Sequence, residues 1–158
     1  AWGTSNSLLI TKPLFNMKKF IMVIAAVLCL SSAAFAQSRA LGVRATYGAE
    51  LSYQHSIGSN FVEADLGWFK NGFYLTGVYD FVFASEGNFN FYAGPGAAVG
   101  FYNDSETSGI NLGIAGQLGL EYNFNIPLQL SLDWRPVFNF IHGGFGWEGI
   151  ALGIRYRF

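Results

Sequence analysis

The chain has 158 residues, a formal charge of −1, 51% hydrophobic and 18% aromatic residues, and one cysteine. A single cysteine rules out a disulfide framework. The few basic residues form no patch suited to nucleic acid.

The N-terminal part differs from the rest. Residues 1–16 carry no usable pattern and stand as an unassigned leader. Met17, Lys18 and Lys19 form a basic start, and an apolar run follows over 20–30. Ser31 and Ser32 then lead to Ala34-Phe35-Ala36. A basic start, a short apolar run and a small-x-small site, in that order, predict a signal peptide over 17–36. The run is too short for a spanning helix, which needs about 20 residues. Cleavage is expected after Ala36, with Ala34 and Ala36 as the small residues the peptidase pocket accepts. Leu28 precedes Cys29 where a lipoprotein signal needs a small residue, so Cys29 reads as one more hydrophobe.

The expected mature part, 37–158, holds ten acids and six bases, a formal charge of −4. Its charged share of about 13% is roughly half the ~25% of ordinary globular domains. It contains no apolar run near the length of a spanning helix. A low-charge, aromatic-rich chain of this kind fits the other structure a bilayer permits, the closed β-barrel.

Period two runs through this part, as strands require. From 41 to 53 the odd positions are apolar, from Leu41 and Val43 to Leu51 and Tyr53. The even ones include Arg44, Thr46, Glu50 and Ser52. Similar alternation covers 60–69, 73–83, 89–102, 109–124, 128–138 and the last segment, where Ile150, Leu152, Ile154, Tyr156 and Phe158 share a face. Turn residues separate the segments: Ser56-Ile57-Gly58-Ser59, Lys70-Asn71-Gly72, Ser85-Glu86-Gly87-Asn88, 103–108, Asn125-Ile126-Pro127 and His142-Gly143-Gly144. A single-chain bacterial barrel needs an even strand number. Splitting the long first segment at Tyr47-Gly48-Ala49 makes eight. The expected fold is an all-β, transmembrane, antiparallel up-and-down barrel. Its outward aromatics gather at two levels, Tyr53, Phe81, Phe83, Phe89, Phe91, Tyr122, Phe124 and Tyr156 at one, Trp68, Phe73, Phe101 and Phe138 at the other. Such levels suit interfacial girdles. A soluble barrel with its apolar face inside would need lysines outside, and 37–158 has only Lys70.

Several stretches resemble the small outer-membrane barrels of Bacteroidetes, which share the architecture of the OmpX and OmpA barrel domains. They are Gly48-Ala49-Glu50-Leu51-Ser52-Tyr53-Gln54-His55, Tyr92-Ala93-Gly94-Pro95-Gly96, Gly119-Leu120-Glu121-Tyr122-Asn123-Phe124 and Arg155-Tyr156-Arg157-Phe158. The resemblance implies residence in the outer membrane of a Gram-negative bacterium. It also implies that Phe158, with Tyr156 and Ile154 before it, is the signal read by the barrel-assembly machinery. The expected partners are that machinery, outer-membrane lipid and an extracellular ligand at the outer loops, with no nucleic acid and a monomeric state.

Parity sends ten charged residues inward: Arg44, Glu50, Glu63, Asp65, Asp80, Glu121, Asp133, Arg135, Arg155 and Arg157. An eight-stranded barrel is just wide enough for its own side chains to fill, and guanidinium forks pair well with carboxylates. Two mixed-sign clusters are expected, Glu63, Asp80, Glu121, Arg155 and Arg157 below, Arg44, Glu50, Asp65, Asp133 and Arg135 above. Gly94, Gly96, Ala98, Gly113, Ala115 and Gly119 are expected to make room for the arginines. Strands five and six look long enough to raise a hairpin around 103–108 with open strand edges. Catalysis needs a nucleophile and a base in reach, and the only histidines are His55 and His142, the latter in a loop level with Ser105 and Ser108. The reading is therefore a non-enzymatic surface barrel with a plugged lumen and an envelope-stabilising or adhesive role, without a cofactor. A lipid-modifying, deacylase-like enzyme is the alternative, and a narrow pore the third.

Overall fold

The computed structural model describes residues 39–103, 108–141 and 143–158. The leader, the signal peptide with Ala34 and Ala36, Cys29, Ser105 and His142 lie outside the described residues. Ten hydrogen-bonded segments are present: β1 (Arg39–Ala45), β2 (Ala49–Ile57), β3 (Asn60–Phe69), β4 (Gly72–Glu86), β5 (Phe89–Asn103), β6 (Ser108–Asn123), β7 (Leu128–Trp134), β8 (Val137–Asn139), β9 (Gly144–Gly146) and β10 (Ile150–Arg157).

These segments make eight staves. β7 and β8 pair with β6 in one unbroken register, Leu118 opposite Trp134 and Gly113 opposite Asn139. The expected strand over 128–138 is interrupted only because Pro136 has no N–H to donate. Its carbonyl still accepts from the Gly116 N–H at 3.0 Å. β9 and β10 are likewise one stave. Trp147, Glu148 and Gly149 oppose only Arg135 and Pro136, a bulge that leaves both Trp147 and Ile150 exposed. The glycine-rich 144–146 carries no alternation, so the sequence shows a loop where β9 forms. Each stave pairs antiparallel with the next, and β1 pairs with β10, closing the ring.

The expected split of the first segment is present. Thr46 donates its N–H to the Gly48 carbonyl at 2.9 Å, and β1 and β2 pair from Ala45 opposite Ala49 down to Arg39 opposite His55. At the other end the hairpins turn at Gly58 and Gly87, with φ of 64° and 60°. A positive φ at the first central position is what a type II′ turn requires, and glycine adopts it freely. A bulge at Phe83, between Val82 and Ala84, takes up the residue left over by the two-residue turn at Gly87 and Asn88.

The barrel is inside-out. Among the described residues, fifteen buried side chains are polar or charged against six hydrophobic, so the core is a polar lumen rather than an apolar one. The outward faces carry Val43, Leu51, Leu75, Ile114, Leu132 and Ile154, all exposed. A soluble barrel has the opposite arrangement. Exposed Tyr53, Phe81, Phe83, Phe89, Phe91 and Tyr156 ring the end where Arg39 and Phe158 pair, called the lower end below. Trp68, Phe73, Phe101, Phe138 and Trp147 ring the upper end.

The staves are strongly tilted. A walk perpendicular to them passes through the paired positions Ala40, Gln54, Glu63, Val78, Gly96, Ala115 and Val137. It starts near the lower end of β1 and finishes near the upper end of the seventh stave. Such stagger is built into barrel closure. It brings residues distant in sequence to one level of the lumen.

Candidate functional site: the luminal charge network

Period two in β1, β2, β3, β7 and β10 aims Arg44, Glu50, Glu63, Asp65, Asp133 and Arg155 inward, and all are buried. Arg44 donates from Nη1 to Glu50 at 2.6 Å and forks onto Asp133 with Nε and Nη2. Glu50 also accepts from the Tyr74 hydroxyl at 2.5 Å. Arg135, in the gap between β7 and β8, reaches across the lumen. It donates to Glu63 at 2.6 Å, Asp65 at 2.5 Å and Gln117 at 2.5 Å. Its Nη1 lies 3.7 Å from Glu50. Arg155 pairs with Glu63 at 2.9 Å and donates to Ser52 at 2.9 Å and Ser131 at 2.8 Å.

The expected two stacked clusters are one network. Glu63 joins them, one carboxylate oxygen on Arg135 and the other facing Arg155. The tilt of the staves is the reason, because it sets β3, β7 and β10 at adjoining levels. Arg157 stands apart from this network. Its side chain donates to the carbonyls of Phe124 and Ile126 at 2.7 and 3.2 Å, clamping the lower turn instead of an acid.

Two of the inward acids make no ion pair with an arginine among the described residues. Asp80 accepts from Gln117 at 3.1 Å, and Glu121 accepts from Asn90 at 2.8 Å and from Gln129. Gln129 and Gln54 then relay to Glu63, with Gln129 donating to Gln54 at 2.8 Å and Gln54 to Glu63 at 2.7 Å. These glutamines, with Ser52 and Ser131, are the network members that a search for charges alone passes over. The same alternation that flags the arginines places them on the inner face. The buried plug holds six carboxylates, Glu50, Glu63, Asp65, Asp80, Glu121 and Asp133, against the guanidiniums of Arg44, Arg135 and Arg155.

The four glycines among the six small inward residues serve a different purpose from the expected one. A Cβ on Gly119 would strike the ring of Tyr92, which is fully buried and packs edge-on against Phe61 at 5.0 Å. Gly94, Gly96 and Gly113 face neighbouring backbone closely. Only Gly153, not among the six expected, opens space beside Arg155 and Ser131. Glycine here admits a tyrosine and lets tilted staves approach.

Two cavities flank the plug. The upper one, about 910 Å³, has Arg44, Glu50 and Arg135 on its floor. The lower one, about 200 Å³, lies between Gln54, Glu121, Gln129 and Arg157. They share no lining residue, so the network separates them. His55 lies off this site at the lower end of β2, opposite Val62. Ile154, Tyr156 and Phe158 share the outer face of the last stave, and the Phe158 N–H donates to the Arg39 carbonyl at 2.8 Å.

The raised hairpin is only partly open-edged. β5 is paired with β4 up to Tyr102 opposite Gly72, and Asn103 donates to the Asn71 carbonyl at 2.8 Å. On the far side β6 outruns its neighbour above Leu112, whose carbonyl accepts from Phe140 at 2.8 Å.

No family model, curated protein or solved structure matches the chain. The likeness to the small Bacteroidetes barrels therefore stands on its motifs alone, and the fold that is shown is the closed, eight-stranded antiparallel barrel.

Proposed function

We propose that the chain is a non-enzymatic, monomeric barrel of the Gram-negative outer membrane, closed to solutes by its own side chains, that stabilises the envelope or presents an adhesive surface. One observation carries the reading. A continuous network of ion pairs and amide hydrogen bonds crosses the middle of the lumen, while the opposite face of every stave is apolar and faces outward. In water such an outer face is a liability, since contiguous exposed apolar surface drives association. In hydrocarbon it is what the solvent demands, and closure leaves no unpaired strand edge in the bilayer. The aromatic rings at the two ends fit the two interfaces. The adhesive part of the proposal falls on β6 above Leu112, where the strand edge outruns its neighbour and can accept an extended partner.

The test is single-channel recording of the purified protein in a planar bilayer. The wild-type barrel passes no steady current. Arg135→Ala removes the side chain that spans from the gap after β7 to β3, and small conductance steps appear. Six carboxylates against two guanidiniums make those steps cation-selective. Steady, well-defined steps in the wild type would replace the plugged barrel with a pore.

A further inference from the structure

The plug does not reach the upper rim, and the space above it is shaped. Its floor is the Arg44, Glu50 and Arg135 group. One wall is aromatic, with Phe69 and Tyr74 stacked at 6.3 Å beside Tyr102. The facing wall carries Asn111 and Asn139, joined by a 3.0 Å hydrogen bond, with Val137 between them and the floor. Thr46, Thr76, Ala98, Gly100, Gly146 and Gly149 are short and keep the middle empty. At about 910 Å³ and lined mainly by apolar surface, the cup has the size and make-up of a small-molecule site.

The cup also has a low side. β1 ends at Ala45, paired with Leu152 and Ala49, and the chain turns back at once. The neighbours on both flanks continue upward. β3 runs on to Trp68 and Phe69 beyond its last pair with β2, Gly67 opposite Glu50. The eighth stave runs on through β10 and β9 beyond its last pair with β1. Among the described residues the wall is therefore missing above the β1–β2 turn, where Tyr47 is 84% exposed. Trp68 lines the cup although register puts its side chain on the outer face. The cavity thus reaches the low side between the turn and Trp68, whose carbonyl faces Gly48.

The charges at the floor are engaged, apart from Arg135 Nη1, which has no hydrogen-bond partner among the described residues. Arg44 and Tyr74 both hold Glu50, and Arg135 is held by Glu63 and Asp65. No unpaired carboxylate of the plug lines the cup, because Asp80 and Glu121 lie below. The carboxylate excess beneath opposes an anion. Lys70 and Glu148 also line the cup, exposed at its rim and opposite in sign. Inside the rim a ligand meets neutral hydroxyls and amides, together with aromatic and aliphatic walls.

We propose that the upper cup binds an uncharged single-chain amphipath, one acyl chain with a hydroxyl- and ester-bearing head, taken from the membrane over the β1–β2 turn. The head sits among Thr46, Thr76, Asn111 and Asn139. The chain lies against Tyr74 and Phe69 and leaves between Tyr47 and Trp68. The membrane route rests on the reading of the preceding section, while filling of the cup does not.

Two glycines supply a matched test. A Cβ on Gly100 points into the cup with its nearest atoms, on Asn111 and Tyr74, at 3.8 and 3.9 Å, so a larger side chain has room to occupy it. Gly77 lies on the outer face with nothing within 4 Å. The refolded full barrel is mixed with monolauroylglycerol, laurate or dodecyltrimethylammonium and examined by native mass spectrometry. One monolauroylglycerol adduct is expected on wild type and on Gly77→Phe. Gly100→Phe weakens it by at least about tenfold, the scale on which one lost contact group changes affinity. Gly146→Phe, on the opposite wall with its nearest atom at 3.6 Å, repeats the test if Gly100→Phe does not fold. Equal adducts from all three amphipaths overturn the uncharged head. Full binding by both cup-filling variants, or no adduct on folded wild type, overturns the site. The heat-dependent gel shift of each sample separates a barrel that has not folded, which counts against the membrane reading, from a folded barrel that does not bind.

Discussion

Arg155 on β10 and Glu63 on β3 meet at 2.9 Å across the lumen, both side chains fully buried. Arg155 also holds Ser52 and Ser131, so one guanidinium ties β2, β7 and β3 to the last stave. Taking away one member of a buried pair leaves the other charge without compensation, at a cost of about 3–5 kcal/mol when burial is complete. Glu63 keeps Arg135, which places Arg155→Ala toward the lower end of that range. Arg157→Ala loses only hydrogen bonds to two carbonyls, for about 1 kcal/mol. Urea unfolding of the two variants in lipid vesicles checks the order. Equal midpoints would mean that the network does not hold the barrel together.

Leu132 is exposed on the outer face, between Leu120 on β6 and Leu152 on β10. Arginine there faces hydrocarbon in the proposed orientation and destabilises the barrel folded in a bilayer by ~2–4 kcal/mol near the midplane. Tyr47→Arg, in the turn above the apolar band, costs ~0–1 kcal/mol by the same depth rule. Similar costs for the two, measured as folding equilibria in vesicles, would contradict a bilayer around these staves.

Phe158 closes the seam between the first and last staves, exchanging two backbone hydrogen bonds with Arg39. It also follows Ile154 and Tyr156 on the outer face. Deleting it sharply reduces the folded, heat-modifiable fraction in cells and leaves export unchanged. Wild-type amounts of folded protein in the deletion strain would remove Phe158 from the assembly signal.

The expected cleavage after Ala36 is checked by N-terminal sequencing of the protein recovered from the outer membrane. The first residue is Gln37. Replacing Ala36 with a bulky residue leaves precursor in the inner membrane, because the peptidase accepts only small side chains there. A mature protein that still begins at Met17 would reject the signal peptide.

Much of this barrel is written locally. The facing of Arg44, Glu63, Asp133 and Arg155 needs only period two, since neighbouring residues of a strand must point to opposite sides. The hairpins at Gly58 and Gly87 are also local, set by residues that tolerate the required backbone angles. Where the chain lacks alternation, as in β9, or where one residue is inserted, as at Phe83 and opposite Pro136, local pattern is silent and the neighbouring stave decides. Stagger is not local at all. It is a property of the closed ring, and it alone merges the two expected charge clusters through Glu63, sends Arg157 to the Phe124 and Ile126 carbonyls, and lowers the wall beside Tyr47. The sequence by itself determined which side chains enter the lumen. The tertiary structure decided at what height each one sits and whom it meets, because only closure relates the level of one stave to that of another.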